Sequence, residues 1–350
     1  MVYLRKLRGL PLLGIALMVW AHPAQSAQEL VFLTWPDYMD PELIERFEQE
    51  HDVTVRTVYF EGDDHRNDLL INSDGAGYDV IMLNDIEIAN YRQRGWLASL
   101  TEQEVPNLRH IDPRWRAAYP AAEGYALPVL WGTFGIGYRE DLVPEPIESW
   151  MQLFQPHETL QGRIVMIRQQ RDLIGVALKA LGHSVNSTDF AELAEAAHLL
   201  MEQKPFVNAY RYVALSEEST LVSGEVAVAT MFNGDVLMLR EYDERIRYVL
   251  PREGSFAWID YLAVLASSPN QDPAKAFVNF LNAPEHAAQW AEYVHFATTN
   301  ESARALLSEE TLTNLIIYPD AQTLGSLEFF EPLPPRTVRR WSAIFNHVVQ

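Results

Sequence analysis

Between residues 30 and 95 the chain alternates strand, helix, strand, helix, strand, and that order leaves few folds open. Residues 30–33, 53–60 and 78–83 read as strands, the second rich in β-branched and aromatic side chains. The first runs into a loop, Thr34-Trp35-Pro36-Asp37-Tyr38, and then to Asp40, which is expected to cap a helix with Pro41 in its first turn. Leu43, Ile44 and Phe47 follow at helical spacing. Residues 63–72 read as a second helix, and 85–94 as a third that ends at Gly95. Two strand–helix–strand units in succession predict a parallel sheet with helices on its faces.

The same pattern returns further on. Residues 163–167, 226–231 and 257–264 read as strands, and 173–181, 189–203, 273–281, 287–294 and 302–307 as helices. A helix is expected to begin at 149–154, and Pro332-Leu333-Pro334-Pro335 breaks the chain before a last helix holding Val338, Trp341 and Phe345. At 350 residues the chain exceeds one comfortable core, and it shows no internal repeat and no low-complexity linker. Two α/β lobes are expected.

Residues 1–27 read as a secretory signal peptide. Arg5, Lys6 and Arg8 precede an apolar run over 10–21, and Ala24-Gln25-Ser26-Ala27 supplies small residues for cleavage. That run is short for a bilayer span, which needs about 20 residues, so an exported, soluble protein is expected rather than an anchored one. Lys+Arg number 27 against 48 Asp+Glu, a net charge of −21. This excess argues against a nucleic-acid binder, which needs a basic footprint, and against an anionic-membrane binder. It suits attraction of cationic ligands. With no cysteine, disulfides, thiolate nucleophiles, Cys-bound zinc and a lipid-modified Cys anchor are excluded.

Catalytic signatures are missing. There is no nucleophile elbow, no His-Glu-x-x-His helix and no Walker loop, and none of the ten His pairs with another at i+4. Gly132-Thr133-Phe134-Gly135-Ile136-Gly137 lacks dinucleotide-loop spacing and reads as a chain crossover after a strand-like 127–131. What recurs is an aromatic near a carboxylate: Trp35 with Asp37 and Tyr38, Phe232 with Asp235, and Trp258 with Asp260 on one side of a strand. Ligands of open α/β sheets bind at the carboxyl ends of strands. Carboxylates there would take ammonium groups, and aromatic faces would cover the methylenes between them. A linear polyamine fits such a box. The bland alternatives are core packing for Trp35, Trp258 and Phe232, a turn cap for Asp37, and an internal salt bridge for Asp260.

Several segments occur in one order that is specific as a set: Phe32 to Tyr38, Tyr78-Asp79-Val80, 127–133, Gly224-Glu225-Val226, Phe232-Asn233-Gly234, Trp258-Ile259-Asp260 and Tyr318-Pro319-Asp320-Ala321. Together they resemble the periplasmic spermidine/putrescine-binding proteins, the ligand-binding components of polyamine importers. The resemblance runs from about residue 29 to the C-terminus. It implies a type II periplasmic binding protein fold, with two lobes that close on a ligand in the cleft between them. Lobe one would comprise 28–134 plus 258–305, and lobe two 135–257 plus 306–350. It further implies ligand contacts from Trp35, Asp37, Tyr38, Asp172, Phe232, Trp258, Asp260 and Phe296, with no catalytic residue, no metal and no cofactor.

The departures from the family pattern concern ligand length. Asn84-Asp85-Ile86 stands where a small hydroxyl pair and a Tyr are usual, so Asp85 is a substitute carboxylate. Gln169 replaces an acidic residue, and Phe329-Phe330 lies where a Gln is found. Some members report norspermidine or spermidine to a membrane-bound cyclic-di-GMP enzyme instead of feeding an importer. Glu61 to Asn67 and Arg109 to Trp115 look more like that branch. The expectation is therefore a monomeric periplasmic polyamine binder that performs no reaction of its own. It would serve either a membrane permease or a membrane-bound sensor enzyme. An exported hydrolase with paired carboxylates is the contrasting class.

Overall fold

The computed structural model describes residues 28–350, and the expected leader at 1–27 lies outside the described residues. The strands are β1 (Gln28–Thr34), β2 (Val53–Tyr59), β3 (Val80–Asn84), β4 (Ala126–Arg139), β5 (Ile164–Met166), β6 (Val207–Tyr210), β7 (Val228–Phe232), β8 (Ile246–Val249), β9 (Phe256–Val264), β10 (Ala297–Thr298) and β11 (Glu328–Phe329). They join in the order β2-β1-β3-β9-β4-β7-β5-β6, with β8 and β10 against β4 and β11 against β9.

β1 runs parallel to both β2 and β3, as two successive crossovers require. The helix between the first two is Pro41–His51, and Asp40 caps it by accepting a hydrogen bond from the Glu42 amide. Antiparallel β9 follows β3, and antiparallel β4 follows β9. Beyond it β5 runs parallel to β6 and β7. β4 is buried along all 14 residues. Its first half pairs with β9 and its second with β7 and β8, so one strand passes from one half of the molecule to the other. The glycine-rich crossover of the sequence is thus continuous strand, and its glycines serve close approach. A Cβ on Gly135 would stand 2.5 Å from the Val249 carbonyl oxygen and 2.7 Å from the Tyr248 hydroxyl.

Each half has its own core, which gives the expected two-lobe α/β architecture. The first is built on Phe32, Phe47, Trp131, Tyr261, Phe277 and Trp290, and it also takes in Leu307, Ile317 and Tyr318. The second gathers Phe134, Trp150, Phe154, Ile174, Phe256 and Trp341. The two cores touch. Phe232 packs against both, Ile86 reaches the second from helix Asp85–Gln93, and Leu237 reaches the first from helix Asn233–Arg240. No helix among the described residues is long and apolar enough to cross a membrane.

Several elements depart from the sequence reading, β10 and β11 among them. β6 and β8 are short, four residues each, and carry no clean alternation. Phe232 to Asp235, which the sequence offered only as an aromatic near a carboxylate, opens helix Asn233–Arg240. Tertiary bonds decide that outcome: the Asn233 side chain accepts from the Thr133 amide at 2.9 Å and donates to the Ile316 carbonyl at 3.0 Å.

Candidate functional site

The carboxyl ends of the parallel strands deliver acidic residues to one place. After β2 comes Asp63, in the first turn of helix Asp63–Asn72, and after β3 comes Asp85, the first residue of its helix. After β5 comes Asp172, in the first turn of helix Gln170–Ala180, and after β7 comes Asp235, in the first turn of helix Asn233–Arg240. A helix N-terminus is a favourable place for a negative charge, and its free amides are available to it. Asp260 arrives differently, from the middle of β9 opposite Asn84 and Leu130. Its carboxylate is 8% exposed and accepts the Tyr38 hydroxyl at 2.6 Å.

An aromatic wall links these groups. Trp35 packs edge-on to Tyr38 at 5.3 Å, and Tyr38 lies 5.8 Å from Phe296. Trp258 meets Phe296 at 4.8 Å and 90°, and Phe232 at 5.7 Å and 82°. Tyr212 stacks on Phe232 at 6.2 Å. Trp258 sits where it does because residue 132 is glycine: a Cβ there would come within 2.5 Å of its ring and collide with the Asn233 side chain. Gly132→Ala should therefore cost about 1–3 kcal/mol of stability, as overpacking does. Urea unfolding would read it, and an unchanged midpoint would show that the indole yields freely.

The carboxylates are short of cations. Asp63 pairs with the fully buried Arg66 at 2.9 Å, but Asp85, Asp172, Asp235 and Asp260 take part in none of the ion pairs formed among the described residues. Desolvation pushes Asp260 up to about 8, against the Tyr38 hydrogen bond and with Asp63 and Asp85 adding repulsion. Desolvation likewise pushes Asp85 up to about 7, opposed by the Ile86 amide and the Arg171 charge. Asp235 rises to about 7 through burial, which only its hydrogen bond with the backbone of Phe232 opposes. Burial, with Asp63 and Asp85 adding, raises Asp172 well above the ordinary carboxylate range, although Arg171 opposes it. Arg171 is itself lowered to about 10 by desolvation, and its guanidinium is held by Asn186 at 2.8 Å and the Glu331 carbonyl at 3.1 Å. Four carboxylates along an aromatic wall can release their protons to a ligand that brings several positive charges on an apolar chain.

Of the residues singled out from the sequence, Trp35, Tyr38, Asp85, Asp172, Phe232, Trp258, Asp260 and Phe296 are brought together here. Asp37 is not drawn into this cluster. It is exposed, in a left-handed turn at φ 56°, and its charge acts on Tyr293 on the outer side of helix Pro284–Val294. Asp63, Asp235, Arg66 and Tyr212 join the cluster without having been singled out as site residues. Asp235 was visible as an aromatic–carboxylate pair with Phe232, whereas nothing local to Tyr212 marks it. Among the described residues no group of three or more His, Asp or Glu is arranged to hold a metal ion.

Comparisons with known proteins identify the family. The family model for bacterial extracellular solute-binding proteins matches residues 42–316. The chain is 29% identical over 318 residues to the spermidine/putrescine-binding periplasmic protein of Escherichia coli K12, covering 90% of each. It is 30% identical over 302 residues to the norspermidine sensor of Vibrio cholerae serotype O1, covering 86% of this chain and 83% of that one. Among solved structures it is similar to the spermidine/putrescine ABC transporter substrate-binding protein of Streptococcus pneumoniae. There the TM-score is 0.76 at 30% identity, with 92% of this chain and all of that one covered. The chain belongs to the bacterial extracellular solute-binding protein family.

Proposed function

We propose that this protein binds a polyamine (spermidine, norspermidine or putrescine) in its interlobe cleft and delivers it to the membrane permease of an ABC importer. The observation that carries the reading is the set of four carboxylates without an ion-pair partner, three of them buried and Asp235 half-buried, set along the wall from Trp35 to Tyr212. Asp85, Asp172, Asp235 and Asp260 would take ammonium groups. Trp35, Tyr38, Phe232, Trp258 and Phe296 would cover the methylenes, with cation–π attraction of about 0.5–2 kcal/mol per contact. Asp37 would join from the rim. The protein would act in the periplasm as a monomer, after loss of residues 1–27, and would turn over no substrate. One lobe would comprise 28–134 with 258 onward, the other 135–257 with the C-terminal segment. Because Leu307, Ile317 and Tyr318 pack in the first core, we set the last crossing after residue 318 rather than at 305.

The norspermidine sensor among the relatives favours a second reading, in which the loaded protein signals to a membrane-bound cyclic-di-GMP enzyme. Neighbouring genes separate the two: permease and ATPase genes mean import, a membrane cyclic-di-GMP enzyme gene means sensing. The binding itself is tested by calorimetry of the mature protein with putrescine, spermidine and norspermidine. Micromolar or tighter binding, about −8 kcal/mol or better, is expected for at least one. No heat from any of them, with a folded protein, would overturn the ligand assignment and leave the fold.

A further inference from the structure

Tyr212 is the one member of the aromatic wall that neither the sequence pattern nor the family resemblance picked out. It lies just past β6, on the segment leading to helix Thr220–Ser223, and it keeps 36% of its surface exposed. Its ring is nonetheless fixed at both ends. One face stacks on Phe232 at 6.2 Å and 26°. The hydroxyl accepts a hydrogen bond from the Gln169 side-chain amide at 2.6 Å. Gln169 is the residue before helix Gln170–Ala180, which carries Asp172, so the bond ties the tyrosine to the acidic end of that helix.

The charges of Asp172, Asp63, Asp235 and Asp260 all act on the Tyr212 hydroxyl, which is itself desolvated and stays protonated. Asp172 and Asp63 belong to the group around Asp85, while Asp235 and Asp260 are the two that act on Tyr38. Gln169 ties the hydroxyl to the helix that carries Asp172, and Phe232, against which the ring lies, precedes the helix that carries Asp235, so Tyr212 stands between the two acidic groups, where the middle of an extended ligand would lie. With one lone pair used by Gln169, the phenol oxygen has a second lone pair to accept from a donor and a proton of its own to give to a carboxylate.

We propose that Tyr212, oriented by Gln169, is a specificity-determining residue that accepts a hydrogen bond from the internal, secondary ammonium of a triamine and so favours triamines over diamines. A diamine has nitrogens only at its ends and presents methylenes to this oxygen, leaving the phenol without a ligand donor. The favourable partner thus depends on a nitrogen within the chain, not on total charge at the ends.

This rests on the polyamine reading, and the test separates the two. Wild type, Tyr212→Phe and Gln169→Ala are titrated with spermidine and with putrescine by calorimetry, with thermal unfolding as a control on folding. Tyr212→Phe keeps the ring on Phe232 and removes only the hydroxyl. The expected result is a five- to twenty-fold weaker spermidine affinity with putrescine changed less than twofold, and a smaller loss of the same kind in Gln169→Ala. Equal losses for both ligands, or no loss for either, would overturn the proposal while leaving polyamine binding intact. Failure of the wild type to bind either ligand would overturn the polyamine reading, and this inference with it.

Discussion

Asp260→Asn should weaken polyamine binding by about 2–5 kcal/mol, the usual cost of losing one partner of a desolvated charge pair, which is about 30- to 4,000-fold in Kd. The carboxylate is 8% exposed, in the interior of β9, with no cation of the protein paired to it. A ligand ammonium would be its first strong counter-charge. Asn keeps an oxygen to accept the Tyr38 hydroxyl, so the 2.6 Å contact survives and the wall from Trp35 to Phe296 need not move. The substitution therefore separates binding from structure. In the empty protein its sign reverses: removing an unpaired buried charge should raise the unfolding temperature at pH 8, because the wild-type carboxylate is ionised there at a cost. Calorimetry and thermal unfolding on the same variant read both. An unchanged Kd would remove Asp260 from the site, and a lower unfolding temperature would give it the structural role of an internal ion pair instead.

Much of the architecture was written in periodicity. β1, β2 and β3 with their helices follow from the spacing of Leu43, Phe47 and the apolar strand runs, because burial of one helix face is a local pattern. The strand 257–264 and the helix 189–203 were equally legible. Helix Asn233–Arg240 was not, since Asn233 and Gly234 suit a turn and become a helix start only through bonds from Asn233 to Thr133 and Ile316, a hundred and 83 residues away. The site divides the same way. Trp258 and Asp260 were visible as two residues on one strand face. Asp85 and Asp172 needed family likeness, and the structure then places them together at the first turns of two helices. Tyr212 had no local signal, because its position depends on Gln169 and Phe232 meeting it from separate elements. Asp37 stands apart: its neighbours Trp35 and Tyr38 turn inward, and the left-handed turn at its own backbone leaves it at the surface.

Lowering the pH from 8 to 6 should weaken binding by at least about a hundredfold, the share of Asp260 alone, with Asp85 and Asp235 adding up to about tenfold each. Asp260 titrates at about 8 and Asp85 and Asp235 at about 7, each raised chiefly by burial. In the empty cleft these groups hold protons that a ligand cation must displace, and each contributes up to tenfold per pH unit below its own value. The ligand does not offset this, since alkylammonium groups stay charged to about pH 10. The same protons fix the sign of the stability effect. Unfolded carboxylates titrate near 4, so between about pH 4 and 8 the folded empty protein binds more protons than the unfolded chain. The contribution of these groups to stability is thus full below about pH 4 and is lost as the pH rises through 7 to 8. A bound polyamine replaces the protons, so the rise in unfolding temperature on adding spermidine should be larger at pH 8 than at pH 6. Calorimetry in buffers of different ionisation enthalpy should count about one or more protons released per ligand at pH 7 and close to none at pH 9. An affinity that is flat from pH 6 to 8, with no proton release, would mean that the cleft's carboxylates are already ionised when empty, held by cations of the protein itself, and the case for a cationic ligand would lose its physical basis.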